Sequence, residues 1–318
     1  MKSFTELLNT VEEALSHIPY PPQPAQLYQP IQYALSLGGK RLRPVMMLMA
    51  YNLWRNDLET ILPQACAMEM YHNFTLLHDD VMDKASIRRG KACVHVKWDV
   101  NTAILSGDAM LALSLRLYGN APGLDTFHEA TVGVCEGQQY DMDFETQADV
   151  SEEAYMEMIR LKTSLLFSCS MKIGAQLAQA PAEDADALYH FGRLLGLAFQ
   201  LQDDWLDVYG DPVTFGKQTG GDITANKRTW LLIKAWQLAD DLQRSTLQGW
   251  MERRDFNREE KIAAFTALYN RLGVGDLCQQ RVRQLFDEAL SQLDRVGVDA
   301  SRKGPLRALA GQVMGRKR

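Results

Sequence analysis

The stretch Leu194-Leu-Gly-Leu-Ala-Phe-Gln-Leu-Gln202-Asp203-Asp204-Trp205-Leu206-Asp207 is an apolar run that ends in clustered acids, and it has a counterpart earlier in the chain. There Ala65-Cys-Ala-Met-Glu-Met-Tyr-His-Asn-Phe-Thr-Leu-Leu-His78 leads into Asp79-Asp80-Val81-Met82-Asp83. Both runs predict buried helices, because a solvated helix carries polar residues over one whole face. In a helix turning about 100° per residue, the first and last Asp of each DDxxD lie about 40° apart, one turn apart on one face. Breaks at Ser86 to Gly90 and at Gly210-Asp211-Pro212 put each motif near a helix C-terminus. Carboxylates are disfavoured there by the helix dipole. Four to six acids gathered in this way need cations, and with oxygen donors alone the suitable hard ion is Mg²⁺.

Outward from these two runs, apolar residues recur at three- and four-residue spacing nearly throughout. The periodicity predicts helices near 3–18, 26–37, 42–55, 61–84, 98–119, 123–144, 151–180, 183–209, 226–245, 258–272, 277–296 and 302–314. Alternating runs and hairpin turns are almost absent. The fold class is all-α, with about twelve helices packed in more than one layer and both motif helices central. No linker divides the chain, so residues 1–318 are expected to form a single domain, with a short amphipathic helix at 1–18 turned into the main body by Pro21-Pro22-Gln23-Pro24.

With 46% hydrophobic residues the chain buries a sizeable core, and its apolar runs are too short to span a bilayer. Without a signal peptide it reads as soluble and cytoplasmic. Cys66, Cys93, Cys135, Cys169 and Cys278 are scattered with no CxxC spacing, as expected of reduced core thiols rather than zinc ligands. A net charge of −6 argues against nucleic acid as a partner. Locally the balance reverses. Gly38-Gly39-Lys40-Arg41-Leu42-Arg43-Pro44 concentrates cations at a glycine turn opening a helix, where exposed N–H groups attract anions and Pro suits the first turn. Lys84, Arg88, Arg89 and Lys91 follow the first acidic motif, and Lys217, Lys227 and Arg228 follow the second. Acids followed twice by bases suit a polyphosphate bridged by metal on one side and held by Arg and Lys on the other.

The series GGKRLRP, LLHDDVMD with RRGK, Gly137-Gln138, Leu161-Lys162-Thr163, FQLQDDWLD, and FGKQTGGD with NKRT resembles the trans-polyprenyl diphosphate synthases, which include farnesyl and geranylgeranyl diphosphate synthases. The resemblance covers roughly residues 30 to 235; residues 245 to 318 show helical periodicity alone. It implies the isoprenoid synthase fold, helices around a deep cavity, usually in a homodimer. It assigns Asp79 and Asp83 to two Mg²⁺ ions and Asp203 to a third, with Asp80, Asp204 and Asp207 in support. Arg88, Lys162, Lys217 and Lys227 would surround the diphosphate of an allylic substrate, and Lys40, Arg43, His72 and Arg89 that of isopentenyl diphosphate. Thr163 and Gln200, with the carbonyl near Lys162, correspond to dipoles that face a carbocation.

Phe74 and Thr75 lie about one turn below Asp79 on the same helix. By resemblance, longer-chain members carry small residues at both places, so Phe74 is expected to floor the cavity and give a C15 or C20 product. The first motif lacks the two-residue insertion between its Asp pairs that the resemblance would lead one to expect of many bacterial farnesyl synthases, which tilts the expectation slightly towards C20. Other readings have less support in the sequence. A longer-chain synthase is opposed by Phe74; a terpene cyclase needs neither GGKRLRP nor a second DDxxD. A metal phosphohydrolase built on His72, His78 and Asp79 leaves the cationic clusters unused, and a non-catalytic subunit has no need of two intact acid sets.

Overall fold

The chain is seen in a computed structural model that describes residues 1–147, 149–211 and 219–315. By packing it divides into two compact units: residues 1–128, 169–189 and 296–306 form the first, and residues 129–168, 190–295 and 307–318 the second.

In the first unit, α1 (Phe4–Ser16) starts at a capping box in which the Ser3 side chain accepts from the Glu6 N–H and Glu6 reaches back to the Ser3 N–H. It is followed by α2 (Ala25–Ser36), α3 (Leu42–Tyr51) and α4 (Leu62–Met82). Every residue of α3 from Val45 to Ala50 is fully buried. The expected central place of the first acidic helix holds within this unit, since α4 packs against α1, α2, α3, the short α5 (Val94–Lys97) and α6 (Val100–Tyr118). Gly107 of α6 makes one of these contacts feasible: a Cβ there would lie 2.3 Å from His78 Nε2.

A hairpin that the sequence pattern did not predict follows α4. Strands β1 (Ile87–Arg88) and β2 (Lys91–Ala92) pair antiparallel around Arg89-Gly90, whose φ values of 52° and 75° match the two-residue turn favoured by strand twist. Four residues of strand are too few to register as alternation.

The second unit takes in most of α7 (Leu124–Thr146), then α8 (Glu152–Ile159), a π-helical turn at Arg160–Ser164, the start of α9 (Leu165–Leu177) and most of α10 (Ala182–Tyr209). The single helix expected over 151–180 is therefore interrupted by the π turn. Beyond α10 come α11 (Gly221–Thr224), α12 (Trp230–Leu238), α13 (Asp241–Glu252), α14 (Arg258–Leu272), α15 (Val274–Arg295) and α16 (Ala300–Met314). The helix expected over 226–245 is likewise two: Asp240 leaves helical geometry and caps α13, accepting from the Gln243 N–H. Cys66, Cys93, Cys169 and Cys278 are buried as expected, whereas Cys135 is exposed. Among the described residues no helix is long and apolar enough to cross a membrane.

Candidate functional site

In the first unit the acidic motif occupies the last turn of α4. Ala85 N–H bonds Asp80 O and Lys84 N–H bonds Val81 O, with Lys84 at φ 53°, so a Schellman motif ends the helix within the run of acids. Asp80 is buried, at 4% exposure. Arg88 grips it from the hairpin, Nε standing 2.8 and 2.9 Å from the two carboxylate oxygens and a terminal nitrogen 2.7 Å from Oδ1. Burial opposes the Arg88 charge, but Asp80 and Asp79 outweigh it and raise the pKa. Asp79 is partly exposed and Asp83 exposed.

Three of the four residues expected to bind the second diphosphate come together beside α4. An Arg43 terminal nitrogen donates to His72 Nε2 at 3.0 Å, which makes Nε2 the acceptor and places the ring proton on Nδ1. Arg89 donates to the Gly38 carbonyl, and its guanidinium covers Gly39, where a Cβ would lie 2.7 Å away. Burial, followed by Arg43 and Arg89, drives the His72 pKa well below its ordinary value. Burial, partly offset by Glu69, lowers Arg43 to about 10. Neighbouring cations that depress one another's charge form a site short of anion. Lys40 is exposed at the rim of the same turn. Arg41, from the same cationic run, instead faces the core and pairs with Glu12 at 2.9 Å and Glu69 at 2.7 Å.

Phe74 is buried edge-on against Tyr71, centroids 5.4 Å apart, and against His78 at 4.9 Å. Tyr71 meets Phe127, which stacks on Tyr118. Thr75 Oγ1 donates to the His72 carbonyl at 2.8 Å. His78 Nε2 donates to the Ile104 carbonyl at 3.0 Å, an engagement that takes the Nε2 lone pair out of metal chemistry.

The second unit repeats the pattern of the first motif. Asp204, the middle Asp, is 3% exposed and fully engaged: Tyr155 OH donates to Oδ2, Gln200 Nε2 to Oδ1 at 3.1 Å, and the Trp230 N–H to Oδ2 at 3.4 Å. Burial raises its pKa to about 7 against the pull of these donors. Asp203 is partly exposed. Asp207 accepts from the N–H groups of Gly221 and Asp222 at 3.1 and 3.0 Å.

With Nε2 committed to Asp204, the amide of Gln200 turns Oε1 towards Thr163, whose hydroxyl donates to it at 2.9 Å. Thr163 and Lys162 lie in the π turn, a local widening that recurs at functional sites. Gly137 of α7 lets that turn approach, since a Cβ would sit 2.3 Å from the Lys162 backbone nitrogen. Lys162 Nζ meets Asp141 Oδ2 at 2.6 Å, and Lys227 Nζ reaches the same oxygen at 3.4 Å and Glu145 at 3.3 Å. Burial alone would raise the Asp141 carboxyl; the two lysines more than offset it and hold it below the usual range. Sequence reading missed Asp141, Tyr155 and Glu145. Only the first carried a signal, one turn after Gly137 on the same helix face. Lys217 lies outside the described residues.

The acidic side chains of the two motifs offer carboxylate oxygens as donors, which fits a hard divalent ion. Among the described residues no three acidic, His or Cys side chains converge tightly enough to hold one unaided.

A family model described as polyprenyl synthetase matches residues 24–269. The chain belongs to the polyprenyl synthetase family. Its reaction class is prenyl transfer. It is 39% identical over 235 residues to the geranylgeranyl diphosphate synthase of Methanosarcina mazei, covering 71% of this chain and 72% of that one. It is 33% identical to the geranylfarnesyl diphosphate synthase of Natronomonas pharaonis, with 90% and 94% covered. A crystal structure of a geranylgeranyl pyrophosphate synthase superposes with a TM-score of 0.95 at 39% identity over 100% of both chains. The geranylgeranyl pyrophosphate synthase of Corynebacterium glutamicum, complexed with isoprenyl diphosphate and magnesium, gives 0.83 at 28% identity, covering 98% and 96%. The all-α isoprenoid synthase fold expected from the motifs is the fold found.

Proposed function

We propose that this chain adds isopentenyl diphosphate head-to-tail to an allylic diphosphate of five, ten or fifteen carbons, in three, two or one successive condensations, and releases a trans-prenyl diphosphate of twenty. The observation that carries the reading is the shared design of the two acidic motifs. In each, the middle Asp is buried and engaged by protein donors, while the first is left more exposed. Asp79 and Asp83 hold two Mg²⁺ ions and Asp203 a third; bound there, the ions supply positive charge to the diphosphate oxygens.

Lys162, Lys227 and Arg88 hold the allylic diphosphate, as does Lys217. They stabilise the charge that develops on its oxygens as the C–O bond breaks. Asp141 keeps both Lys162 and Lys227 charged and aimed until the substrate arrives. Gln200 Oε1 and Thr163 Oγ1 turn lone pairs towards the carbocation. Arg43, Arg89, Lys40 and neutral His72 bind the diphosphate of isopentenyl diphosphate, whose double bond attacks the cation; the departing diphosphate then accepts the proton released.

A C20 product agrees with a buried Phe74 backed by further aromatic rings and with the geranylgeranyl enzymes among the relatives. The chain acts as one cytoplasmic catalytic domain and pairs with a second copy. The exposed apolar residues Val100, Ile104, Leu105 and Leu115 of α6 suit burial in such a dimer. Incubation with Mg²⁺, isopentenyl diphosphate and C5, C10 or C15 primers, followed by chromatographic sizing, tests the reading. A C20 diphosphate is expected. Release of a cyclic hydrocarbon or of free phosphate without consumption of isopentenyl diphosphate overturns it.

A further inference from the structure

Lys261, on α14 beyond the last recognisable motif, is a fully buried lysine that pairs with no carboxylate among the described residues. Its ammonium lies over the Phe256 ring, 4.3 Å from the centroid, and donates to Asn226 Oδ1 at 2.6 Å. A buried ammonium is costly to desolvate, so its retention calls for a task that an apolar residue would not perform.

Asn226 supplies that task. It sits at φ 56°, a conformation that L side chains other than Asn and Asp rarely adopt, and its amide nitrogen donates to Met251 O at 3.0 Å. Its side chain is thus held at both ends, by Lys261 and by the end of α13. The next residue is Lys227, whose N–H bonds the Asp222 carbonyl at 2.9 Å and whose ammonium meets Asp141. α14 grips the same segment at two further points: Arg258 donates to the Thr219 carbonyl at 2.8 Å, and Ile262 packs on Gly220, where a Cβ would lie 2.4 Å from its terminal methyl.

We propose that Lys261 is a positioning residue for the prenyl-transfer reaction, locking Asn226 in its left-handed conformation so that Lys227 stays aimed at the allylic diphosphate. The inference rests on the diphosphate-binding role given to Lys227 above. It gives the C-terminal helices a part in substrate binding.

Steady-state kinetics of the full chain with farnesyl diphosphate and isopentenyl diphosphate test it. Lys261→Met is expected to raise KM for farnesyl diphosphate about tenfold, the worth of one charge-assisted hydrogen bond, while KM for isopentenyl diphosphate changes less than about twofold. Asn226→Gly keeps the backbone conformation but removes the acceptor, and the same rise is expected; it decides the matter alone if Lys261→Met does not fold. In a Lys227→Met background either change is expected to add less than about twofold. A full additive effect in that background, or an unchanged KM in both Lys261→Met and Asn226→Gly while Lys227→Met raises it, overturns the inference. A silent Lys227→Met instead overturns the role of Lys227, and the inference with it.

Discussion

Arg88 holds both carboxylate oxygens of Asp80 through its Nε, at 2.8 and 2.9 Å, while Asp79, one residue earlier, stands 4.0 Å from the same guanidinium. Asp80 thus fixes the hairpin that carries Arg88 and Arg89, and the metal-binding role proposed for Asp79 separates the two adjacent acids. Asp80→Ala leaves a largely buried guanidinium without its main partner, and a stability loss of about 2–3 kcal/mol is expected in urea denaturation. Asp79→Ala is expected to leave stability within about 0.5 kcal/mol and to lower kcat by about three orders of magnitude, as is chelation of divalent metal. Equal stability losses in the two variants would remove the division of labour.

Tyr155 acts at one remove in the second motif. Its hydroxyl fixes Asp204, which dictates the amide orientation of Gln200 and through it the hydroxyl of Thr163. Tyr155→Phe is expected to cost about 1–2 kcal/mol of stability and to lower kcat about tenfold with little change in either KM. A KM effect without a kcat effect would place Tyr155 outside this chain of hydrogen bonds.

How far the sequence disclosed these features depended on the range of the interactions involved. The helices and the buried character of α4 follow from apolar spacing, whereas the roles proposed within each DDxxD rest on the motif resemblance. What escaped was set by contacts between distant segments or by geometry too short to have a period. Asp141 meets Lys162 because Gly137 admits the π turn that brings the lysine to it. Arg41 reads as one more cation of a basic run, yet Glu69 and Glu12 draw it into the core. The hairpin at Arg89-Gly90 has two residues per strand, and Lys261 reads as one more polar position in a charged stretch, although it is fully buried.

The depressed pKa of His72 makes stability depend on pH with a definite sign. Burial and Arg43 keep the ring neutral in the folded chain, whereas in the unfolded chain it protonates near 6.5. Below that value the unfolded state binds the extra proton, so the contribution of His72 is fully present above about pH 7 and is lost as the pH falls towards the folded pKa. Stability is expected to be about 1 kcal/mol lower at pH 5.5 than at pH 7.5, and the difference to shrink in His72→Gln. Diphosphate supplied as an anionic partner is expected to restore part of it, measured by thermal unfolding with and without pyrophosphate.

Phe74 is buried against Tyr71, itself backed by Phe127. Phe74→Ala removes the buried phenyl ring about one turn below the first motif, and a product at least one isoprene unit longer than C20 is expected on reversed-phase chromatography. The emptied volume is expected to cost about 3 kcal/mol. An unchanged product distribution would remove Phe74 as the proposed determinant of chain length.

Gly137 offers the sharpest test of the geometry in the second unit, because a nearby glycine on the same helix provides the control. A Cβ at Gly137 would lie 2.3 Å from the backbone nitrogen of Lys162 and 2.8 Å from Leu161 C, atoms that cannot yield without moving the π turn. At Gly133 the closest atom is the Leu165 Cδ2 methyl at 2.5 Å, the end of a side chain able to change rotamer. Gly137→Ala is therefore expected to separate Lys162 from Asp141 and to displace Thr163 from Gln200, lowering kcat about a hundredfold, since catalytic positioning is lost with shifts of about 1 Å. Gly133→Ala is expected to stay within about threefold of the parent, because the backbone of the turn is not displaced. Circular dichroism should show both variants helical. A crystal structure of Gly137→Ala with the Lys162 to Asp141 pair intact would show that the close approach of α7 is not what sets the turn.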